Sequence, residues 1–402
     1  MASHLLPPFP LASTSDGQLQ MLGQVLWNWE LCGGCNKQPV CASVGCPWNR
    51  AKRLGRFWDY YKEITASYVP ELLTESSPAL STHEDLLNIL RLLKAQPDTP
   101  RSQLTHEHFS RRADEEGKCP PISDQNRAFN LAIRVLLMVN CTVPHQYSGI
   151  LESGDQCVPW HGSTSISQFI AEAFPKTDHP YLNDVEGSMK SVDIKYALMA
   201  KILKQRAELR FEATNNIYNH LKLDRKQGVV QIFHHSAVLK ENLRASQHVQ
   251  TAAKSSDFVK SGNMPRQLAL EALDSIHKIL FPPDPDSQSL LSSLVLRSSF
   301  DEDCLRFEST AYRADDEKDI NFHFFGSRLV ALHDELESPT PRGWLQKWLE
   351  RKSGARYVMM ATLVGVMIAV ILGILGLGVT SFQAWVAYQQ WKHPVTQTTP
   401  PN

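Results

Sequence analysis

Four cysteines stand close together near the start of the chain: Cys32, Cys35, Cys41 and Cys46, in the pattern C-x2-C-x5-C-x4-C. Four thiolates at such spacing can surround one zinc ion tetrahedrally. Gly33 and Gly34 lie inside the first pair and allow the tight turn that brings two sulfurs to one metal, as in a zinc knuckle. The second pair, with four residues between its members, is less diagnostic than a second C-x2-C. Structural zinc is the leading reading, with unpaired reduced thiols and disulfides as the alternatives. A cytosolic setting disfavours disulfides. The metal's task would be to fold a short segment that cannot bury a core by itself. The other cysteines, Cys119, Cys141, Cys157 and Cys304, are scattered and read as buried or inert.

Other residues able to do chemistry give weaker patterns. Arg50, Lys52, Arg53 and Arg56 interleave with Trp48, Trp58 and Tyr60, a mixture that can bind single-stranded nucleic acid by stacking and phosphate contact. The competing reading is an amphipathic helix with its rings in the core and its bases in water, and a formal net charge of −1 favours it. His106–Glu107–His108 and His234–His235 lack the one-turn histidine spacing of a zincin helix and read as core or surface histidines. Asp284, Asp286, Asp301, Glu302 and Asp303 are acidic but lack the glycine and final glutamate of a calcium loop, so a solvated loop is expected. No nucleophile elbow, P-loop, dinucleotide fingerprint or kinase set is present. Asn140–Cys141–Thr142 matches a glycosylation acceptor, unused if the body is cytosolic.

The elements that must position these residues are mainly helical. Phe57, Tyr60, Tyr61 and Ile64 share a helical face in a body that begins near Lys52. Further helices are expected over His83–Lys94, over Gln125–Asn140 capped by Ser123 and Asp124, over Ser165–Phe174 and over Ser188–Leu209. A Pro- and Gly-rich loop is expected from Thr142 to Ser163. Residues 221–235 read as a β-hairpin turning at Asp224–Gly228. The order helix, helix, hairpin also suits a winged-helix unit, but a small hairpin on a helical body is the simpler expectation. Ala245–Asn263 is polar and aperiodic, a linker. Helices over Pro265–Leu280 and Asp286–Leu296, a short strand Ile320–Phe325 and a helix to Leu336 complete the body.

The clearest feature lies at the other end. Val358–Thr380 carries no charge over 23 residues. As a helix it is about 34 Å long, enough to cross a hydrocarbon core of about 30 Å. Arg342, Lys347, Arg351, Lys352 and Arg356 precede it, whereas only Lys392 follows, so the positive-inside rule keeps the body cytosolic. Trp385, Tyr388 and Trp391 suit the far interface. Pro-rich Met1–Gly17 does not read as a signal peptide. Together these predict tail-anchored insertion into an internal membrane such as the endoplasmic reticulum. Ala361, Gly365, Ala369 and Gly373 recur every four residues and offer a face for helix–helix association. Trp344, Leu345, Trp348 and Leu349 share a face that either lies in the headgroup plane or opens one longer helix.

Composition agrees with this organisation: 402 residues, 42% hydrophobic and 21% charged, is ordinary globular usage with room for two or three domains. The expected layout is a Cys-rich segment (1–50), a helical body with a minor β-hairpin (51–244), a linker (245–263) and a helical subdomain (264–340). A basic amphipathic segment (341–356), a transmembrane helix (357–380) and a tail (381–402) follow.

Four stretches are familiar together: residues 126–141 (NRAFNLAIRVLLMVNC), 209–244, 265–282 and 341–366. They resemble a large paralogous group of uncharacterised proteins of filamentous fungi, most with a C-terminal membrane helix, over roughly residues 20–395. The resemblance implies a membrane-anchored protein and carries over no catalytic residue. A non-catalytic interaction or regulatory protein is the leading expectation. A membrane-associated enzyme or accessory factor of specialised metabolism is the rival, and nucleic-acid binding by the Cys-rich end comes third.

Overall fold

The computed structural model describes residues 9–35, 41, 45–70, 77–112, 119–142, 157–183, 194–249, 255–298, 300–307, 312–314, 317, 319–342 and 356–393. Two compact units emerge, Met1–Thr340 and Pro341–Asn402. The expected amphipathic face at Trp344–Leu349 lies outside the described residues.

The first unit is mainly helical. Helix α1 (Asp16–Trp27) opens with a reciprocal capping box between Ser15 and Gln18 and ends where Asn28 turns left-handed at φ 53°. Its buried Leu19, Leu22 and Leu26 pack on α3 (His83–Ala95), which Thr82 and Asp85 cap in the same way. The N-terminal segment expected to stand apart is thus part of the body's core. After α1 come a 3₁₀ helix (Pro47–Leu54), α2 (Gly55–Ala66), α4 (Arg101–Arg112) and α5 (Ile122–Leu137). Asp124 is not the cap of α5. Its buried carboxylate accepts from Tyr68 Oη at 2.8 Å and from the Ala79 amide at 2.7 Å, and α5 starts one turn earlier than expected.

Within the expected Pro- and Gly-rich loop, Cys141–Thr142 (β1) pairs in parallel with Val158–Pro159 (β2). Helices α6 (Ile166–Ala173), α7 (Pro180–Asn183) and α8 (Ala200–Arg206) follow. The long helix expected over Ser188–Leu209 is not one helix. Residues 188–193 lie outside the described residues, the chain breaks at Leu198–Met199 before the short α8, and Glu208, at φ 52°, leads into strand β3 (Arg210–Thr214). The predicted hairpin forms from β4 (Lys222–Asp224) and β5 (Val229–Phe233), and β3 adds to β5 in parallel to give a mixed sheet ordered β3-β5-β4. Gly228, at φ 68°, closes the hairpin turn.

Beyond the sheet lie α9 (Ser236–Ala245), α10 (Ser255–Ser261) and α11 (Arg266–Asp274), the last running into a π-helical turn, Ser275–Leu280. The described parts of the expected linker, residues 245–249 and 255–263, are therefore packed against the body rather than free of it. Phe258, Val259 and Asn263 are buried, and Asn242 Oδ1 accepts from the amides of Asn263 and Met264. Ser246, Ser256 and Asn263 are buried there, whereas Gln247, His248, Asp257 and Lys260 remain exposed. Helices α12 (Pro285–Ser298) and α13 (Gly326–Glu337) complete the unit. Residues 320–325 are not the expected strand. The amides of His323, Phe324 and Phe325 donate to the buried carboxylate of Glu271 at 2.8–3.0 Å, which replaces a ladder partner.

The second unit holds α14 (Arg356–Lys392), a single helix of 37 residues. The span expected to end at Thr380 continues without a break through most of the expected tail. Among the described residues it is the one helix long and apolar enough to cross a membrane, and its apolar side chains are exposed.

Five histidines are buried among the described residues of the first unit, and burial lowers His83 below its ordinary value. His220 Nδ1 accepts from the Phe233 amide at 3.1 Å, leaving Nε2–H to donate to Ser275 Oγ at 2.7 Å. Burial, with Arg328 nearby, pushes His220 down to about 3. Burial likewise lowers His277 to about 3, His234 to about 4 and His235 well below its ordinary value. An unfolded chain protonates these rings near pH 6.5 while the folded chain does not, so they withdraw stability as pH falls below about 6.5. Glu271 and Asp301, raised to about 7 by burial, act with the opposite sign, so single-site comparison is the clean test. His220→Gln is expected to lower stability at pH 7 and to lower it less at pH 4.5, where the wild-type imidazole is itself a burden. Equal losses in thermal unfolding at both pH values would contradict this.

Candidate metal centre

Three elements bring the cysteines together. After α1 the chain turns tightly, with the Cys35 amide donating to the Cys32 carbonyl at 3.1 Å. Gln20 of α1 holds this turn by donating from Nε2 to the Cys35 carbonyl at 3.3 Å. Cys46 occupies the N-cap of the 3₁₀ helix Pro47–Leu54, where the Asn49 amide donates to its carbonyl at 3.1 Å.

The sulfurs of Cys32 and Cys35 are 3.3 Å apart, those of Cys32 and Cys41 3.5 Å, and those of Cys35 and Cys46 3.2 Å. All four lie within 4.8 Å of one another. Thiolates about 2.3 Å from a tetrahedral zinc sit about 3.8 Å apart, so the cluster needs only small adjustments to hold a metal such as zinc. The separations exceed a disulfide bond of about 2.05 Å by more than 1 Å, so none of the four cysteines is in a disulfide. Cys35, Cys41 and Cys46 are buried and Cys32 is half-buried. Hydrogen bonds from Cys35, Cys41 and the Gly34 backbone lower Cys32 to about 6. Burial raises Cys46, but backbone and thiol hydrogen bonds outweigh it and leave it lowered. Burial together with its sulfur neighbours raises Cys35. Two sulfurs in the group, Cys32 and Cys46, thus favour the thiolate that a metal needs, while Cys35 gives up its proton only to a cation.

The cluster rests on aromatic rings. Trp29 packs 5.2 Å from Trp27, 6.3 Å from Trp48 and 6.4 Å from Trp58, and Trp58 Nε1 donates to the Ala51 carbonyl at 2.9 Å. Gly23 is required here, because a Cβ on it would meet the Trp29 ring at 2.3 Å. Glu241 of α9 then ties the cluster to the body. Its 3%-exposed side chain accepts from Trp29 Nε1 at 3.0 Å, from Arg50 Nε and Nη2 at 2.7 and 2.9 Å, and from Arg244 Nη1 at 2.6 Å. Burial alone would raise the Glu241 carboxyl, yet Arg50, Arg244 and Trp29 together hold it low.

Other candidate residues have structural settings. Trp48, Trp58 and Tyr60 are buried and cannot stack on bases. His108 packs edge-on against Phe109, and Glu107 accepts from Gln103 Nε2 at 2.9 Å. His234 Nδ1 accepts from the Asp301 amide at 3.1 Å, and the Nε2 atoms of His234 and His235 lie 3.0 and 2.7 Å from Asn215 Oδ1. Asp301 and Asp303 are buried, not part of a solvated loop. Burial pushes Cys141 and Cys304 up to about 12, whereas Cys119 is exposed, so of the expected settings, buried or inert, it does not have the first. A Cβ on Gly365 or Gly373 would meet nothing within 4 Å, so the small-residue face of α14 is open.

Sequence reasoning missed Glu241, whose partner Arg50 is 191 positions away. The fold and site define a helical body with an integrated four-thiol cluster and one candidate membrane helix. No family model, curated protein or solved structure matches the chain.

Removing the Glu241 carboxylate leaves Arg50 and Arg244 without their shared acceptor. Glu241→Gln is expected to destabilise the first unit by about 3 kcal/mol in urea unfolding. Arg50→Met should cost less, because Arg50 is partly exposed and Arg244 remains. A loss for Glu241→Gln below about 1 kcal/mol would show that the carboxylate is dispensable.

Proposed function

We propose that this chain is a single-pass, tail-anchored membrane protein whose helical body faces the cytosol at an internal membrane such as the endoplasmic reticulum. A structural zinc at Cys32, Cys35, Cys41 and Cys46 completes the body, which acts by binding partners rather than by turning over a substrate. The observation that carries the reading is α14. Its side chains from Leu363 to Val379 are apolar and exposed, and water would make that surface unfavourable. Lys392 is the only charged residue after Arg356, so the basic flank stays on the body's side. Phe382, Trp385, Tyr388 and Trp391 near the far end fit an interfacial aromatic belt. The binding role is supported by how chemically able side chains are used. His220, His234 and His235 are held neutral in hydrogen bonds, and the Cys304 thiol is committed to the His234 carbonyl.

Two measurements test this. Protease added to intact membranes is expected to digest the body, protect only the C-terminal tail and leave Asn140 without glycan. A protected body with glycosylated Asn140 would reverse the orientation and make disulfides the fate of the cysteines. Elemental analysis of the purified full chain should find one zinc per chain, lost in Cys46→Ser. Chelation should change the tryptophan emission, because Trp29, Trp48 and Trp58 lie beside the cluster. Metal-free protein with unchanged emission and stability would overturn the structural role.

A further inference from the structure

A second polar site lies beside the metal centre. The 3₁₀ helix Pro47–Leu54 and the start of α2 face a short 3₁₀ turn, Glu302–Leu305, across a cavity of about 390 Å³. Apart from Gly55, every residue lining it is charged. One segment supplies Lys52, Arg53, Arg56 and Asp59, and the other supplies Asp301, Glu302, Asp303 and Arg306.

The two aspartates have spare acceptor capacity although they are almost fully enclosed. Asp301 is 4% exposed, and one carboxylate oxygen accepts from the Asp303 amide at 3.0 Å. No donor among the described residues takes its other oxygen. Asp303 is 2% exposed, and its Oδ2 accepts from Lys240 Nζ at 2.6 Å and Ser236 Oγ at 3.1 Å. Its Oδ1 is buried without a partner among the described residues. A buried carboxylate oxygen left unpaired is costly, so Asp303 Oδ1 points to a donor supplied from outside the chain, and the second Asp301 oxygen beside it has room for another. Burial also raises Asp301 to about 7, as expected of a carboxyl whose stabilising donors are incomplete. Across the cavity Lys52 and Arg56 make no ion pair among the described residues, although the Arg56 charge is felt at Asp301.

Donors without acceptors thus face acceptors without donors. A simple inorganic anion answers only the bases and is repelled by the aspartates. A metal ion alone needs three or more protein ligands, and the described residues gather such a group only at the four cysteines. An apolar ligand meets only the stems of charged side chains, with no apolar side chain lining the cavity. A molecule carrying phosphate at one end and hydroxyl groups at the other answers both sides, since guanidinium groups pair well with phosphate and hydroxyls donate to carboxylates.

We propose that this cavity binds a phosphorylated polyol, its phosphate held by Arg56, Lys52 and Arg53 and its hydroxyls donating to Asp301 and, deeper, Asp303. Hydroxyl recognition by the aspartates gives selectivity over other phosphates, and the exposed bases give the attraction.

The test is calorimetric titration of the full chain in detergent micelles with inositol trisphosphate, with inorganic pyrophosphate as the hydroxyl-free comparison. Inositol trisphosphate is expected to bind, and more tightly than pyrophosphate. Arg56→Ala and Asp301→Asn should each weaken it about tenfold or more. Arg56 is exposed, so its variant reports on binding even if Asp301→Asn disturbs folding. Silence to millimolar ligand, equal affinity for pyrophosphate, or an affinity unchanged in Arg56→Ala would each overturn the proposal. So would binding of a free amino acid zwitterion in place of the polyol phosphate.

Discussion

The arrangement of the body depends on a carboxylate kept out of water. Glu241 is buried on a helix that is itself enclosed, and it remains ionised only because Trp29, Arg50 and Arg244 surround it with donors. Two of these, Trp29 and Arg50, flank the cysteine cluster in sequence. The interaction therefore fixes where the N-terminal segment sits on α9, and with it where the sulfurs meet. Buried ion pairs often add little net stability, because desolvation offsets attraction. Their consequence here is positional, since any other docking of the segment leaves a charge stranded.

The same helix repeats the device twice. Lys240, Glu241 and Asn242 are consecutive and therefore project about 100° apart around the axis. Lys240 reaches Asp303 and the Arg306 carbonyl, Glu241 reaches the cysteine segment, and Asn242 holds the backbone at Asn263 and Met264. Three neighbours are thus anchored in three directions by three adjacent buried polar side chains. The 3₁₀ helix that Cys46 opens carries Arg50 to Glu241 and Lys52 and Arg53 to the charged cavity. Thiol cluster, buried carboxylate and cavity are consequently positioned by one short element.

Much of this was legible in the sequence where a local pattern dictates structure. The apolar stripe of α3, the turn residues of the β4–β5 hairpin and the long uncharged run in α14 each follow from periodicity or length alone. The cysteine spacing likewise announced the cluster. Features set by distant partners were not legible. Asp124 looks like a helix cap, but Tyr68 and Ala79 draw it into the interior. Residues 320–325 look like a strand until Glu271 takes their amides. β3 was hidden because it abuts a helix that a left-handed Glu208 ends. Helix α1 was readable in principle, since Ser15 and Gln18 form a capping-box signal immediately before its apolar residues. Its glycines and short length masked the periodicity.

The central claim is that the N-terminal segment is ordered around a metal bound by four sulfurs and locked to α9. X-ray absorption at the zinc edge of the purified full chain tests it most directly. The account predicts a single shell of four sulfurs at about 2.3 Å from the metal. A shell with oxygen or nitrogen in place of two or more sulfurs, or no zinc edge at all, would contradict it.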